Sequence, residues 1–168
     1  MAELESVIGA VCTALEASGI TRAMSRYPEE EKFDYTHSVA AVGLKKGSSI
    51  SYGLAEYIGE KHYTDGSVKE IYGKKLDMTL AVELFSPDDA LNGSDACLKA
   101  FDKVLTAAES LTQNIKVREI KCGEVKYDEN TMMFKCSAEL IITALLYAEK
   151  TNDIEFLDFN LEGVSVNW

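Results

Sequence analysis

The sequence lacks the features that mark membrane and secreted proteins. Its apolar runs are short and interrupted by charge, so none is long enough to cross a bilayer. The first twenty residues contain glutamates but no basic segment of the kind that opens a signal peptide. The cysteines form no CxxC pair, which favours reduced core thiols over a zinc site or a disulfide framework: Cys12, Cys97, Cys122 and Cys136. We therefore expect an intracellular protein.

Basic residues are scarce as well. The chain has 28 acidic and 17 basic residues among 168, hence a net charge of −11, and no basic cluster alternates with aromatic residues. Because this charge repels phosphate on average, we expect no specific nucleic-acid binding. The acidic balance is typical of an ordinary solvated surface. It would equally suit a passage through which DNA slides without sticking.

Catalytic and cofactor-binding motifs are missing too. The sequence has no GxSxG elbow, no phosphate-binding P-loop and no GxGxxG after a strand. Two acidic groups lack the spacing of a calcium-binding EF-hand, and helix capping and solvation explain them: Asp88, Asp89 and Asp95, and Asp153, Glu155 and Asp158. No motif places a serine or cysteine beside His37, so we expect it to open a strand, and His62 to lie on the surface. We predict no enzymatic activity, no cofactor and no metal.

The last third of the chain is dominated by alternating apolar and polar residues. Every second residue from 132 to 146 is apolar, which predicts a strand, although residues 138–148 also fit the spacing of a helix. A strand of this length would span roughly 50 Å, so we expect a bend or a bulge within it. The runs 115–125 and 154–168 change phase midway, which predicts bulges near Arg118 or Glu119 and at Gly163. The polar residues between 125 and 132 predict a hairpin.

The earlier part of the chain predicts two helices and two further strands. An apolar stripe over 3–18, followed by Gly19, indicates an amphipathic helix, and a second such helix starts at Asn92 or Ser94 and runs to 111. Strands are expected at 38–44 and at 76–85, before Pro87. The predicted fold is one α+β domain, residues 1–168, with a mostly antiparallel sheet of about five strands and two amphipathic helices packed on it.

Residues 45–75 are predicted to be a long connection, rich in glycine, with a strand at most around 49–58. Tyrosines are spaced along it, and a large apolar face with one hydroxyl suits a subunit or partner contact: Tyr52, Tyr57, Tyr63 and Tyr72. The plainer interpretation is a surface loop whose tyrosines lie against their own domain. A third is a small-molecule or peptide-binding α+β domain, or an enzyme whose pocket lies between sheet and helix, with this segment and His62 forming a lid.

The layout resembles one known group of proteins. The residues that carry the likeness are LEASGI at 15–20, the strand at 76–85 leading through Ser86 and Pro87 into a helix, CGEVKYD at 122–128 before a long strand, and the closing strand. Together they resemble small tail proteins of long-tailed phages and prophages, and within that group the tail-terminator or tail-completion type.

The resemblance implies a structural protein without catalytic residues. Tail terminators associate with copies of themselves into a ring, usually a hexamer, that caps the tail-tube protein and contacts the head–tail connector protein. Such a protein would occupy the host cytoplasm during assembly and then the virion tail. The longer middle segment and the closing run to Trp168 depart from the simplest members, and they leave room for a tube, baseplate or chaperone role.

Overall fold

A computed structural model describes residues 2–25, 36–52, 56–87, 93–111 and 114–150. The described chain is mostly β. Its elements follow one another as α1 (Ala2–Ala17), β1 (Arg22–Met24), β2 (Val39–Ser51), β3 (Tyr57–His62), β4 (Val68–Pro87), α2 (Gly93–Glu109), β5 (Ile115–Asp128) and β6 (Met133–Lys150). Neither helix of this part of the chain has the length and apolar character that spanning a membrane requires.

The six strands form one sheet in the order β1-β2-β4-β6-β5, and β3 also pairs with β4. β6 pairs with β4 from Glu70 to Pro87, so β2 and β3 share the other edge of β4 and lie end to end along it. β2 pairs with β4 from Phe85 to Lys74, and β3 continues from Tyr72 to Val68. The sheet is therefore built on two central strands, β4 with 20 residues and β6 with 18.

The helices cover one face of the sheet. α2 packs on β4, β5 and β6, while α1 packs on β1, β2 and α2. Alternate residues of β4 and β6 point into this core, where the largest fully buried side chains include Leu80, Leu84, Leu140 and Ile142. The spacing follows from strand geometry, since side chains two residues apart share a face. We call the other side of the sheet the open face.

Several predictions are confirmed. The first helix ends as expected, with Gly19 at φ +99° and Ile20 N–H donating to the Leu15 carbonyl at 3.1 Å. β5 and β6 form the predicted antiparallel hairpin, and the register shifts between Val117 and Glu119, where a bulge was expected. Residues 138–148 are strand, not helix, because they lie within β6.

The predicted fold class is wrong in strand number and in strand direction. The sheet has six strands, not about five, and it is mixed because β1 runs parallel to β2. β1 is three residues long, too short for its alternation to be recognised in the sequence. It is held to β2 partly by Thr21 N–H, which donates to the Ser38 carbonyl at 3.3 Å.

The predicted long connection at 45–75 is also wrong. β2 continues to Ser51, β3 occupies much of the remainder, and β4 begins at Val68. A tight turn joins β3 to β4: Tyr63 N–H donates to the Ser67 carbonyl at 2.9 Å, and Gly66 adopts φ +83°. The described parts of the segment are thus mostly β-strand, and Gly47, Gly59 and Gly73 lie within strands.

The bulge expected within β6 is absent from the described pairing with β4, which runs unbroken from Glu70 opposite Lys150 to Pro87 opposite Met133. The irregularities lie in the strands on either side instead, in β5 and in β2 between Leu44 and Lys46. Full pairing along β4 holds β6 regular, so the neighbouring strands absorb the twist. Predictions on residues 88, 89, 92 and 153–168, including Gly163, fall outside the described residues.

Candidate interaction surface

The sheet extends beyond the part that the helices cover. The main core takes residues of β4 from 76 to 84 and of β6 up to 144. We call the remainder the arm: β3 with residues 68–75 of β4 and 145–150 of β6. At about 3.3 Å per residue, β4 would span roughly 66 Å, whereas a compact domain of this length, with a radius of gyration of about 15 Å, is only about 40 Å across. β4 is therefore longer than the core requires.

A small apolar cluster holds the arm together on its open face. Ile71, Leu145 and Tyr147 are buried there, and Tyr52 and Ile58 pack against them. The cluster joins β4 to β6 and to the segments on the other edge of β4. The Tyr147 hydroxyl is buried and has no hydrogen-bond partner within the described part of the chain. The arm thus has a core of its own, separate from the one beneath the helices.

Within the arm, the carboxylate of Glu149 links the end of β6 to the tip of the β3–β4 hairpin. Glu149 accepts a short hydrogen bond from the Tyr63 hydroxyl, and further ones from Lys61 Nζ at 3.0 Å and Lys69 Nζ at 3.2 Å. Both ammonium groups lie about 5 Å from the centre of the Tyr63 ring, at 5.0 and 5.1 Å. The hydrogen bond from Tyr63, together with the two lysines, lowers the pKa of Glu149 to about 2.

The four predicted contact tyrosines all lie in or beside the arm, but on two different faces. Tyr52 and Tyr63 belong to the open face, where they contact the apolar cluster and Glu149. Tyr57 and Tyr72 lie opposite each other on the helix side, with ring centroids 5.7 Å apart in an edge-to-face arrangement. The Tyr72 hydroxyl donates to Glu70 at 2.7 Å. Tyr57 has 39% of its surface exposed, which leaves it the most available of the pair.

The helix-side face of the arm is acidic around this tyrosine pair. Glu60 and Glu70 are partners across β3 and β4. Partial burial, and then the charges of Glu60 and Glu70, raise the pKa of Tyr57. Tyr57 therefore stays neutral well above physiological pH and offers a ring and a hydroxyl donor amid negative charge.

The open face of the sheet body carries paired charges. Asp77 accepts from Thr143 Oγ1 at 2.6 Å and lies 3.4 Å from Lys75 Nζ and 3.7 Å from Arg118 Nη2. The Thr143 hydrogen bond is the main reason that the pKa of Asp77 falls below its usual range. Two more pairs cross the strands nearby: Lys45 with Glu139, and Lys135 with Glu83 at 2.8 Å. Such cross-strand ion pairs neutralise one another's charges on this solvent-exposed face. The region therefore has little unpaired charge to offer a ligand.

Of the two histidines, His37 lies outside the arm, whereas His62 is the last residue of β3 and lies within it. His37 precedes β2 by two residues and its Nδ1 lies 2.8 Å from Thr36 Oγ1, while exposed His62 lies 4.0 Å from Glu60. Within the described ranges, no group of three or more His, Cys, Asp or Glu side chains is arranged to hold a metal ion. One cavity of about 320 Å³ opens between β2 and β4, lined by Ser25, Ala41, Val42, Gly43, Leu44, Ala81 and Glu83.

The outer edge of β5 has no paired strand among the residues that the structure describes. Many side chains of β5 are charged, including Lys116, Arg118, Glu119, Lys121 and Glu124. The strand also carries two register shifts against β6. Charges and bulges are the usual protection of an edge against pairing with another chain. This edge is therefore a poorer candidate for self-association than the arm.

Comparison with known proteins adds no family to these observations. No model of a protein family matches the sequence, and the curated proteins include none with significant similarity to it.

Proposed function

We propose that the protein is a structural subunit that functions by self-association, and that the arm is its main contact surface. The observation that carries the proposal is the length of β4 and β6, which continue past the helix-covered core. There β4 pairs with β3, whose Tyr57 is exposed on the sheet face. A partly exposed tyrosine within a rigid strand gives a large contact area at a small cost in conformational entropy.

In its specific form, the proposed role is that of a ring-forming tail terminator of a phage or prophage. The subunits would close into a ring that caps the tail tube and meets the head–tail connector. The support is the resemblance in layout, the net charge of −11, which suits a bore through which DNA passes, and the arm as a means of reaching a neighbouring subunit. Contacts of this head-to-tail kind close only when the rotation per subunit divides a full turn.

The arm supports contact through side chains better than through an added strand. Tyr57 lies on a sheet face, whereas two outer edges without a described partner are poor templates for an added strand. β5 is charged and bulged, and β3 is only six residues long and carries a register shift between Tyr57 and Gly59. A neighbouring subunit would therefore cover the helix-side face of the arm, where Tyr57 is surrounded by Glu60 and Glu70. The complementary surface would need basic groups, since carboxylates are costly to bury without an opposite charge.

The alternative of a small-molecule or peptide-binding domain has the cavity as its support. The cavity lies beside Ala81 of β4. Tyr52 donates its N–H to the carbonyl of Gly73, which lies eight residues before Ala81 in the same strand and hence roughly 26 Å from it. The arm tyrosines are therefore too distant to form a lid over it. Self-association remains the better-supported function.

Size measurement tests the proposal directly. We expect multi-angle light scattering after gel filtration to show a concentration-dependent oligomer of uniform subunit number, and negative-stain electron microscopy to show rings. A protein that stays monomeric at the highest soluble concentration, alone and with a tail-tube protein, would rule out the proposed role.

A further inference from the structure

Two cysteines that are distant in sequence meet across the β5–β6 hairpin. The Sγ atoms of Cys122 and Cys136 are 3.5 Å apart. The contact depends on a register shift: Cys122 pairs with Ala138 and Val125 pairs with Cys136, so two residues of β5 oppose Ser137 alone. The bulge shortens the diagonal between the two thiols, which a regular ladder would hold farther apart.

The backbone at the bulge holds both thiols toward one acceptor. Cys122 Sγ lies 3.5 Å and Cys136 Sγ 3.7 Å from the Gly123 carbonyl oxygen. Glycine is required there because a Cβ would lie 2.7 Å from the Ser137 carbonyl oxygen. The strands thus approach closely beside the sulfur pair.

The two thiols differ in their surroundings. Cys122 is exposed, whereas Cys136 is fully buried in the main core. Burial, with a contribution from Cys122, raises the pKa of Cys136 to about 12. Cys97 on α2 is also buried, but its sulfur lies against the carbonyls of Leu84 at 3.6 Å and Phe134 at 3.5 Å. One accessible sulfur therefore stands next to one sheltered sulfur.

We propose that Cys122 and Cys136 form a thiol-oxidation site that closes reversibly into a disulfide by exchange with a low-molecular-weight disulfide of the glutathione type. A disulfide needs the sulfurs to approach to about 2.05 Å, a further 1.5 Å or so. Side-chain rotation of exposed Cys122, together with small adjustment of the bulge, supplies a movement of that size. The inference is independent of the proposed function.

The order of the steps follows from exposure. Cys122, as a thiolate, attacks one sulfur of the small disulfide, whose S–S bond breaks and releases one thiolate. Cys136 then gives up its proton to solvent base, attacks the Cys122 sulfur and releases the second small thiolate. The protein loses two electrons and two protons overall, and the small disulfide is reduced to two thiols. The high pKa of Cys136 makes the second step the slower one.

Peptide mapping tests this site because trypsin separates all four cysteines. Cleavage after lysine places Cys122 on residues 122–126 and Cys136 on residues 136–150, with Cys97 and Cys12 on other peptides. The full-length native protein is incubated with oxidised glutathione at mildly alkaline pH, alkylated in acid and digested without reductant. We expect peptides 122–126 and 136–150 joined, preceded in time by glutathione on Cys122, and separated again by dithiothreitol.

Matched variants complete the test. Cys12→Ser should retain the linked peptides, and Cys122→Ser, a change at an exposed position, should lose them and leave Cys136 without glutathione. A glutathione adduct that persists on Cys122, a bond from Cys122 to Cys97, or four unmodified thiols after prolonged incubation would each overturn the proposal.

Discussion

Ile58 lies directly against Gly73, across the boundary between β3 and β4. A methyl group on Gly73 would overlap Ile58 Cδ1 and would lie 2.8 Å from the Leu146 carbonyl oxygen. Gly73 N–H also donates to the Glu56 carbonyl at 2.7 Å. The missing side chain therefore lets Ile58 reach the apolar cluster of the arm, and this glycine has a packing role within a strand.

Gly73→Ala should destabilise the protein by about 1 to 3 kcal/mol, because one neighbour is backbone and cannot move aside without disturbing β6. Gly59→Ala is the matched control in the same arm: nothing lies within 4 Å of its added Cβ, so a change below about 0.5 kcal/mol is expected. Urea unfolding of both variants measures the difference. Equal midpoints for the two would show that Ile58 does not pack on Gly73.

The sequence predicts the elements that have one buried face. Period-two alternation identifies β6, and the phase change near Arg118 identifies a bulge in β5, because burial on one side fixes which residues are apolar. Period-two alternation does not reveal the first half of β4. Lys69, Glu70 and Lys74 lie outside the main core, so no long apolar alternation marks them. The available signal was Asp65 and Gly66, a common hairpin turn between two potential strands.

The candidate surface could be located from the sequence only in part. The spacing of tyrosines among glycines indicates residues 52–72, which the structure places in or beside the arm. Glu149 gives no such signal, because its partners Lys61 and Lys69 are 88 and 80 residues away along the chain. The same applies to Cys122 and Cys136, whose contact depends on a bulge and on the exact pairing of two strands. Register between distant strands is a property of the folded sheet.

Ile142 tests the burial pattern of β6. Its side chain is fully buried beneath the helices, so Ile142→Ala should cost about 2 to 5 kcal/mol through lost burial and the cavity left behind. Ile50→Ala is the same substitution at a site that is 52% exposed in β2, and it should cost less than about 1 kcal/mol. Denaturant unfolding measures both. A small cost for Ile142, under about 0.5 kcal/mol, would put this residue on the surface.

Glu149 should make the arm sensitive to acid. Its folded pKa of about 2 lies below the value near 4.5 of a free glutamate, so its stabilising effect is present above pH 4.5 and is lost as the pH falls through 4.5 toward 2. After allowance for a side chain that is one-third exposed, the effect is about 1 kcal/mol. Wild type should therefore lose most of that amount relative to Glu149→Gln between pH 6 and pH 2.5, an interval that contains most of the transition.

Glu124→Gln is the control for this pH dependence. Glu124 pairs with Lys126 at 3.1 Å on exposed β5, where both side chains are more than 70% accessible, so its replacement should leave the acid profile unchanged within about 0.5 kcal/mol. Denaturant midpoints across the pH range give the comparison. If Glu149→Gln and wild type respond to acid in parallel, the carboxylate does not hold the arm to β6.

Tyr57 tests the proposed contact surface against a matched tyrosine elsewhere. Tyr57 is 39% exposed and packs edge-to-face on Tyr72 in the arm, while Tyr127 is 42% exposed and packs the same way on Phe134 at 5.4 Å in the β5–β6 hairpin. Each change to Ala should cost a similar 0.5 to 1.5 kcal/mol or so of folding stability. Only Tyr57→Ala should also weaken self-association, by about tenfold or more in Kd at a contact hot spot. Sedimentation equilibrium of the two variants decides: equal association would remove the arm as the contact surface.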